Sequence, residues 1–145
     1  MTRLFCVLLA VAASGGSLAA GDFDRYFTDS TLRVDYYHSG TKGVESFSLD
    51  RVSMGGPWAG SRVNLLDTLN LGEFIVRVYD RASASLVYSR GFSSMFNEWQ
   101  TTDEAVAGIQ RTFHESALIP LPKKPVQFTI GRRDRQMDYR ELFPR

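Results

Sequence analysis

Cysteine is all but missing. The chain of 145 residues has one, Cys6, close to the amino terminus. Beyond it no disulfide can form, so the fold must hold by burial alone, without the staples that small exported domains often use. Histidine is scarce as well, with two in the chain, His38 and His114. An excess of one charge is lacking too: 17 Lys and Arg face 16 Asp and Glu. Surfaces that grip nucleic acid or anionic lipid carry a clear basic surplus, so this balance argues against both partners. One long apolar run is present, at the very start.

That run begins after Met1-Thr2-Arg3, spans Leu4 to Ala13 and is broken by Ser14-Gly15-Gly16-Ser17. Small residues Ala19 and Ala20 follow, and Gly21-Asp22 opens a different composition. A positive charge, a short apolar core and small residues before a polar start form the pattern of a cleavable signal peptide. A membrane span needs roughly 20 apolar residues, about twice this length, so no transmembrane segment is expected once the signal is removed. Cys6 sits inside the run rather than after it, which does not suit a lipid-anchored precursor. Residues 1–20 are therefore expected to direct export to a secreted, periplasmic or cell-surface location, with cleavage after Ala19 or Ala20. Residues 21–145 remain, a common size for one domain with its own core.

Along that domain, period-two alternation dominates. Leu32, Val34 and Tyr36 alternate with Arg33, Asp35 and Tyr37, as in a half-buried strand. Ser39 to Gly43 is a turn cluster, and Val44 to Leu49 can return as a hairpin. Phe74, Val76 and Val78 lead through a polar turn over Asp80–Ser85 to Leu86, Tyr88 and Phe92, giving a second hairpin. Val126, Phe128 and Ile130 are followed by the charged turn Arg132 to Arg135 and by a strand from Met137 to Leu142, and Thr112 to Leu121 makes a further strand. Helix signals are few: Thr101 with Glu104 resembles a capping box opening two turns to Gln110. Asn64 to Leu71 has no clear period. The expectation is a mainly β protein: a single antiparallel β-sandwich domain with at most one or two short helices.

Chemistry-bearing patterns are weak. A zinc peptidase helix needs His-Glu-x-x-His, so that one turn brings both imidazoles to the metal; His114-Glu115 is followed by Ser116-Ala117-Leu118 and lacks the second histidine. Both histidines read as ordinary polar strand positions. Ser93, Asp103 and His114 stand in the chain order of a hydrolase triad, but Gly91-Phe92-Ser93-Ser94-Met95 lacks the second glycine of a nucleophile elbow, and Phe96-Asn97 opens no helical pattern. Asp22, Asp24 and Asp29 lack the glycine and terminal glutamate of a calcium loop and read as a solvated, flexible start. Lys123, Lys124, Arg132, Arg133 and Arg135 read as two charged turns. No catalytic residue, metal ligand or cofactor is expected.

The aromatic residues stand out. Trp58 lies in Gly55-Gly56-Pro57-Trp58-Ala59-Gly60, and Phe96-Asn97-Glu98-Trp99 repeats the theme. Loop tryptophans serve as ligand or partner anchors, because they bury much area at little entropy cost. They serve equally as plugs over the open end of a sandwich. Trp58, Trp99 and Phe96 are the candidate binding residues. The plug is the preferred reading for Trp58, whose flanking glycines let the loop fold over its own ring, and less so for Trp99, which has polar neighbours.

Five segments carry a resemblance: YFTDSTLRVDYYHSG (26–40), FSLDRV (47–52), GPWAGSRVNLLDTLNLGEFIVRVYD (56–80), LVYSRGFSSMFNEWQTT (86–102) and RTFHESALIPLPKKPVQFTI (111–130). Together they are similar to the N-terminal domain of the IgA-peptidase family of secreted metallopeptidases. The resemblance implies a β-sandwich that precedes a zinc peptidase domain. This chain stops at Phe143-Pro144-Arg145 where the family continues, and no position matches the family's zinc ligands or catalytic glutamate. The expected role is then a non-catalytic accessory domain, packing on a metallopeptidase catalytic domain or presenting substrate. The alternative is a free-standing extracytoplasmic module that binds a surface glycan or protein through its loop tryptophans.

Overall fold

Leu32, Val34 and Tyr36 take one face of a long strand and turn it toward the interior. The computed structural model describes residues 22–136 and 138–143; the signal-peptide and cleavage-site residues expected over 1–20 lie outside them, as does Met137. Strand β1 (Phe27–Thr41) pairs antiparallel with β2 (Val44–Met54) through a turn of only Lys42 and Gly43. The expected turn cluster tightens because Ser39 to Thr41 stay in the ladder. A register step between Asp35 and Tyr36 leaves Asp50 as the extra residue on β2, a bulge that bends the strand locally.

The second hairpin, β3 (Phe74–Asp80) with β4 (Leu86–Phe92), and strands β5 (Arg111–Pro122), β6 (Val126–Arg133) and β7 (Tyr139–Phe143) complete the strands of the described residues. All pairings are antiparallel, in a three-stranded sheet of order β2-β1-β5 and a four-stranded sheet of order β4-β3-β6-β7. The sandwich architecture expected from alternation is the one found. Its core joins Phe27, Tyr36 and Ile119 of one sheet to Phe74, Val78, Val87 and Ile130 of the other, all within 1% of complete burial. Each such side chain contributes roughly 1.5–3 kcal/mol relative to exposure, which is how a chain without disulfide staples stays folded.

Among the described residues three short helices appear: α1 (Asp22–Tyr26), α2 (Met95–Trp99) and α3 (Asp103–Val106). Two depart from the sequence reading. The start of the domain is not a solvated, flexible segment, because Phe23 buries against Phe27 and pins α1 to β1. A helix does form at Phe96-Asn97. Ser94 caps it by accepting from the Asn97 amide at 3.1 Å, and Phe96 and Trp99, three apart, fall on one face. The expected capping box shifts by one residue. Thr102 is the N-cap of α3, yet its hydroxyl donates to the Trp99 carbonyl at 2.8 Å rather than capping. The Glu104 carboxylate is engaged by Trp99 Nε1 and Arg111 instead.

Candidate functional site

Between β2 and β3 the chain runs from residue 55 to 73 without helix or strand. Irregular loops longer than about 12–15 residues are uncommon and are often functional. This loop is fixed at several points. At its start the Thr31 amide of β1 donates to the Gly56 carbonyl at 2.9 Å and the Gly55 amide donates to the Thr31 carbonyl at 2.8 Å. Gly60 presses on the benzo edge of Trp58: a Cβ there would fall 2.2 Å from Cζ2. The indole Nε1 donates to the Ser61 carbonyl at 3.1 Å. So the loop does fold over its own ring, as the flanking glycines suggest. Further on, Leu65 is buried and its carbonyl accepts from the Ser89 amide of β4 at 2.9 Å, while the Asp67 amide donates to the Ser89 hydroxyl at 2.9 Å. Gly91 of β4 allows this approach, since a Cβ would lie 2.0 Å from the Leu71 carbonyl oxygen.

The loop thus lies along the edge of β4 and borders an open cavity of about 440 Å³, in the size range of small-molecule sites. Trp58, Asn64, Asp67, Tyr88 and Arg90 are in its wall. A second cavity of about 380 Å³ opens between β4 and β5, and the two share Tyr88 and Arg90. Trp58 itself is half-buried, its ring edge-on to Tyr88 at 6.0 Å. Burial pushes the Tyr88 hydroxyl up, and the adjacent Arg90 guanidinium offsets part of this. Asp67 accepts the Leu69 amide on Oδ1, and its buried Oδ2 has no hydrogen-bond partner.

The other two candidate residues are elsewhere and are differently used. Phe96 is fully buried and Trp99 is 8% exposed, in a separate cluster with Ala105 and Phe113. As surface anchors they are unavailable, and the expected ranking is reversed: Trp99 is the more deeply packed tryptophan, Trp58 the more open. Of the polar neighbours that made Trp99 look exposed, Gln100 is buried while Glu98 and Thr101 face solvent. Gln100 Nε2 donates to the Thr41 carbonyl at 2.7 Å, and Glu104 accepts from the Trp99 indole at 3.3 Å.

His38, which the sequence offered as an ordinary strand position, is fully buried and joins the two apolar clusters. Its ring stacks between Phe96 at 3.9 Å and Phe47 at 4.0 Å. Nε2 meets Glu45 at 3.0 Å and Nδ1 meets Glu115 at 3.3 Å. Arg132 reaches Glu45 at 2.8 Å and also Gln100 and Asn97, tying α2 to the far sheet. Burial pulls the imidazole pKa down, but the hydrogen bonds and charges of Glu115 and Glu45 outweigh it and the net direction is up. For Glu45 burial acts upward, yet His38 and Arg132 prevail and the net direction is down. Burial and the Glu115 carboxylate push the Tyr36 hydroxyl upward as well. Both ring nitrogens of His38 are already engaged, so the arrangement is a buttress for α2 rather than a reactive centre.

The remaining candidates disperse. His114 pairs with Asp50 at 3.0 Å rather than with Asp103. Asp29 pairs with Arg62, while Lys123 donates to the Asp24 carbonyl. Arg132 and Arg133 belong to the end of β6 rather than to a turn. Asp35, on the outer face of β1, is held to about 2 by the Ser116 hydroxyl and by Arg33 and Arg51. Among the described residues no group of three or more His, Cys, Asp or Glu side chains could hold a metal ion, and no helix is long and apolar enough to cross a membrane. A family model described as the peptidase M64 N-terminus matches residues 22–144. No curated protein matches the chain.

Proposed function

The chain belongs to the peptidase M64 N-terminal domain family, the IgA peptidase family, and from that premise we propose that it serves as the non-catalytic accessory domain of a secreted metallopeptidase. The observation that carries the reading is the extent of the match, residues 22–144, which takes in both sheets and the loop over β4. The side chains support it. The one buried histidine is locked between two carboxylates and two phenyl rings, and His114 is a surface ion-pair partner. The partner is a catalytic domain of the same peptidase family, which this domain packs against or supplies with substrate. Export follows from residues 1–20 acting as a signal peptide, so the work is done outside the cytoplasm.

The reading is tested by mixing the purified protein with an M64 catalytic domain and with casein or immunoglobulin. Alone, the protein should cleave neither substrate; with the catalytic domain it should bind, or change the rate of cleavage. Chelator-sensitive cleavage by the protein alone, with stoichiometric zinc, would overturn the assignment. Mass analysis of the protein from the producing cell should find a chain starting at Ala20 or Gly21; an intact Met1 or an acylated Cys6 would refute export by this route.

A further inference from the structure

The cavity under residues 55–73 has two chemistries in one wall. Trp58 supplies an indole fixed by its Nε1 bond to the Ser61 carbonyl and by contact with Tyr88. Around it stand an amide, a carboxylate and hydroxyls from Asn64, Asp67, Thr68 and Ser61. Arg90 lies at the junction with the second cavity and is exposed. No ion pair with a described carboxylate occupies it, in contrast to Arg33, Arg51, Arg62, Arg111 and Arg132. Asp67 Oδ2 in the same wall has unused acceptor capacity, a cost that an incoming hydroxyl would relieve after a small movement of the loop.

Each simpler ligand class leaves part of this wall unused. A purely apolar ligand would strand the amide, carboxylate and hydroxyls. A small inorganic anion would use Arg90 and ignore the indole. An extended peptide adding as a strand needs a free sheet edge, but at this point the edge of β4 is already taken by the bond from the Ser89 amide to the Leu65 carbonyl. A pyranose has an apolar C–H face for an aromatic ring and a rim of hydroxyls that both donate and accept. A carboxylate on that ring would give Arg90 the charge-assisted, bidentate partner it lacks.

We infer that the cavity walled by Trp58, Asn64, Asp67 and Arg90 binds an acidic sugar, the ring stacked on Trp58 and the carboxylate paired with Arg90. This site is independent of the accessory role, which stands or falls on the catalytic partner. Titration of the purified protein, followed by tryptophan fluorescence and amide NMR shifts, tests it with N-acetylneuraminate, galacturonate, galactose, acetate and an acidic octapeptide. At least one acidic sugar should saturate in the millimolar range or tighter, roughly tenfold better than galactose, with shifts confined to the 55–73 loop and β4. Arg90→Gln, at an exposed position, should remove that preference, and Trp58→Ala should abolish binding. Trp58→Phe guards against a collapsed loop: it should keep the melting temperature and part of the affinity. Saturation by none of the acidic sugars, equal binding of acetate, binding of the peptide alone, or an unchanged affinity in Arg90→Gln would each overturn the inference.

Discussion

The two tryptophans occupy opposite kinds of environment although their sequence surroundings look alike. Trp99 sits at the end of a short helix, 8% exposed beside a fully buried Phe96 and a buried Gln100. Trp58 sits on a long irregular loop that curls round its ring and leaves it in the wall of an open cavity. The difference is set by what lies beneath. Under α2 the fully buried His38, paired with the partly buried Glu45 and Glu115 and linked to Arg132, offers charged anchors and an aromatic stack. Under the loop lie the edge of β4 and the rim of the main core, where Leu65 is buried and Trp58 packs in part, and its start is bonded to Thr31 of β1. Both regions are anchored, but the first closes over its aromatic rings while the second leaves one of them in the wall of a cavity.

The largest expected effect that could break this comparison is at Phe96. Truncation to alanine removes a fully buried ring that packs on His38, Trp99 and Phe113, and should cost about 3–5 kcal/mol by urea unfolding. A loss below about 1 kcal/mol, the range of surface changes, would show that α2 is not part of the core.

The pH dependence of stability comes next. His38 holds its proton more tightly folded than unfolded, so its contribution is complete below its ordinary value of 6.5 and fades as the pH rises through the raised folded value. Glu45 binds its proton less tightly when folded, so its contribution is complete above its ordinary 4.5 and fades as the pH falls through the lowered one. Both act fully between these ordinary values, and thermal stability should peak there. His38→Gln should flatten the alkaline limb; an unchanged slope above neutrality in that variant would contradict the assignment.

A smaller effect sharpens the picture of the α2 anchor. Ser94→Ala removes the acceptor for the Asn97 amide and should cost about 1 kcal/mol. The smallest is on the loop side: Arg90→Gln, exposed and outside any ion pair with a described carboxylate, should change stability by no more than about 0.5 kcal/mol. A larger loss would mean that Arg90 supports the fold and is not free for a ligand.

The sheets were legible in the sequence because their information is local. Alternation in β1, β3 and β6, with polar or glycine-bearing turns between pairs, gives both strand identity and the inward face. His38 carried a signal that was missed: it continues the phase of Leu32, Val34 and Tyr36, so it had to point inward, and the extra residue of the bulge falls on β2, leaving that phase intact. What waits on the fold is its partners, since Glu115 comes from a strand far along the chain. Helix α2 was hidden because a five-residue turn with only two buried apolar side chains is too short to show a period. The curl at Trp58 was legible in its flanking glycines, but the rest of the path of residues 55–73 was hidden because it is dictated by docking on Thr31 of β1 and on β4 through Leu65, Asp67 and the bare Gly91.

The central claim, that the α2 region is structural and the loop at Trp58 is the open face, is tested most directly by comparing Trp99→Ala with Trp58→Ala in urea under identical conditions. Trp99→Ala should lose about 3–5 kcal/mol, with a clear drop in midpoint at an unchanged slope. Trp58→Ala, half-buried and bonded only within its own loop through Nε1, should lose distinctly less. Equal losses, or a greater loss at Trp58, would contradict the account.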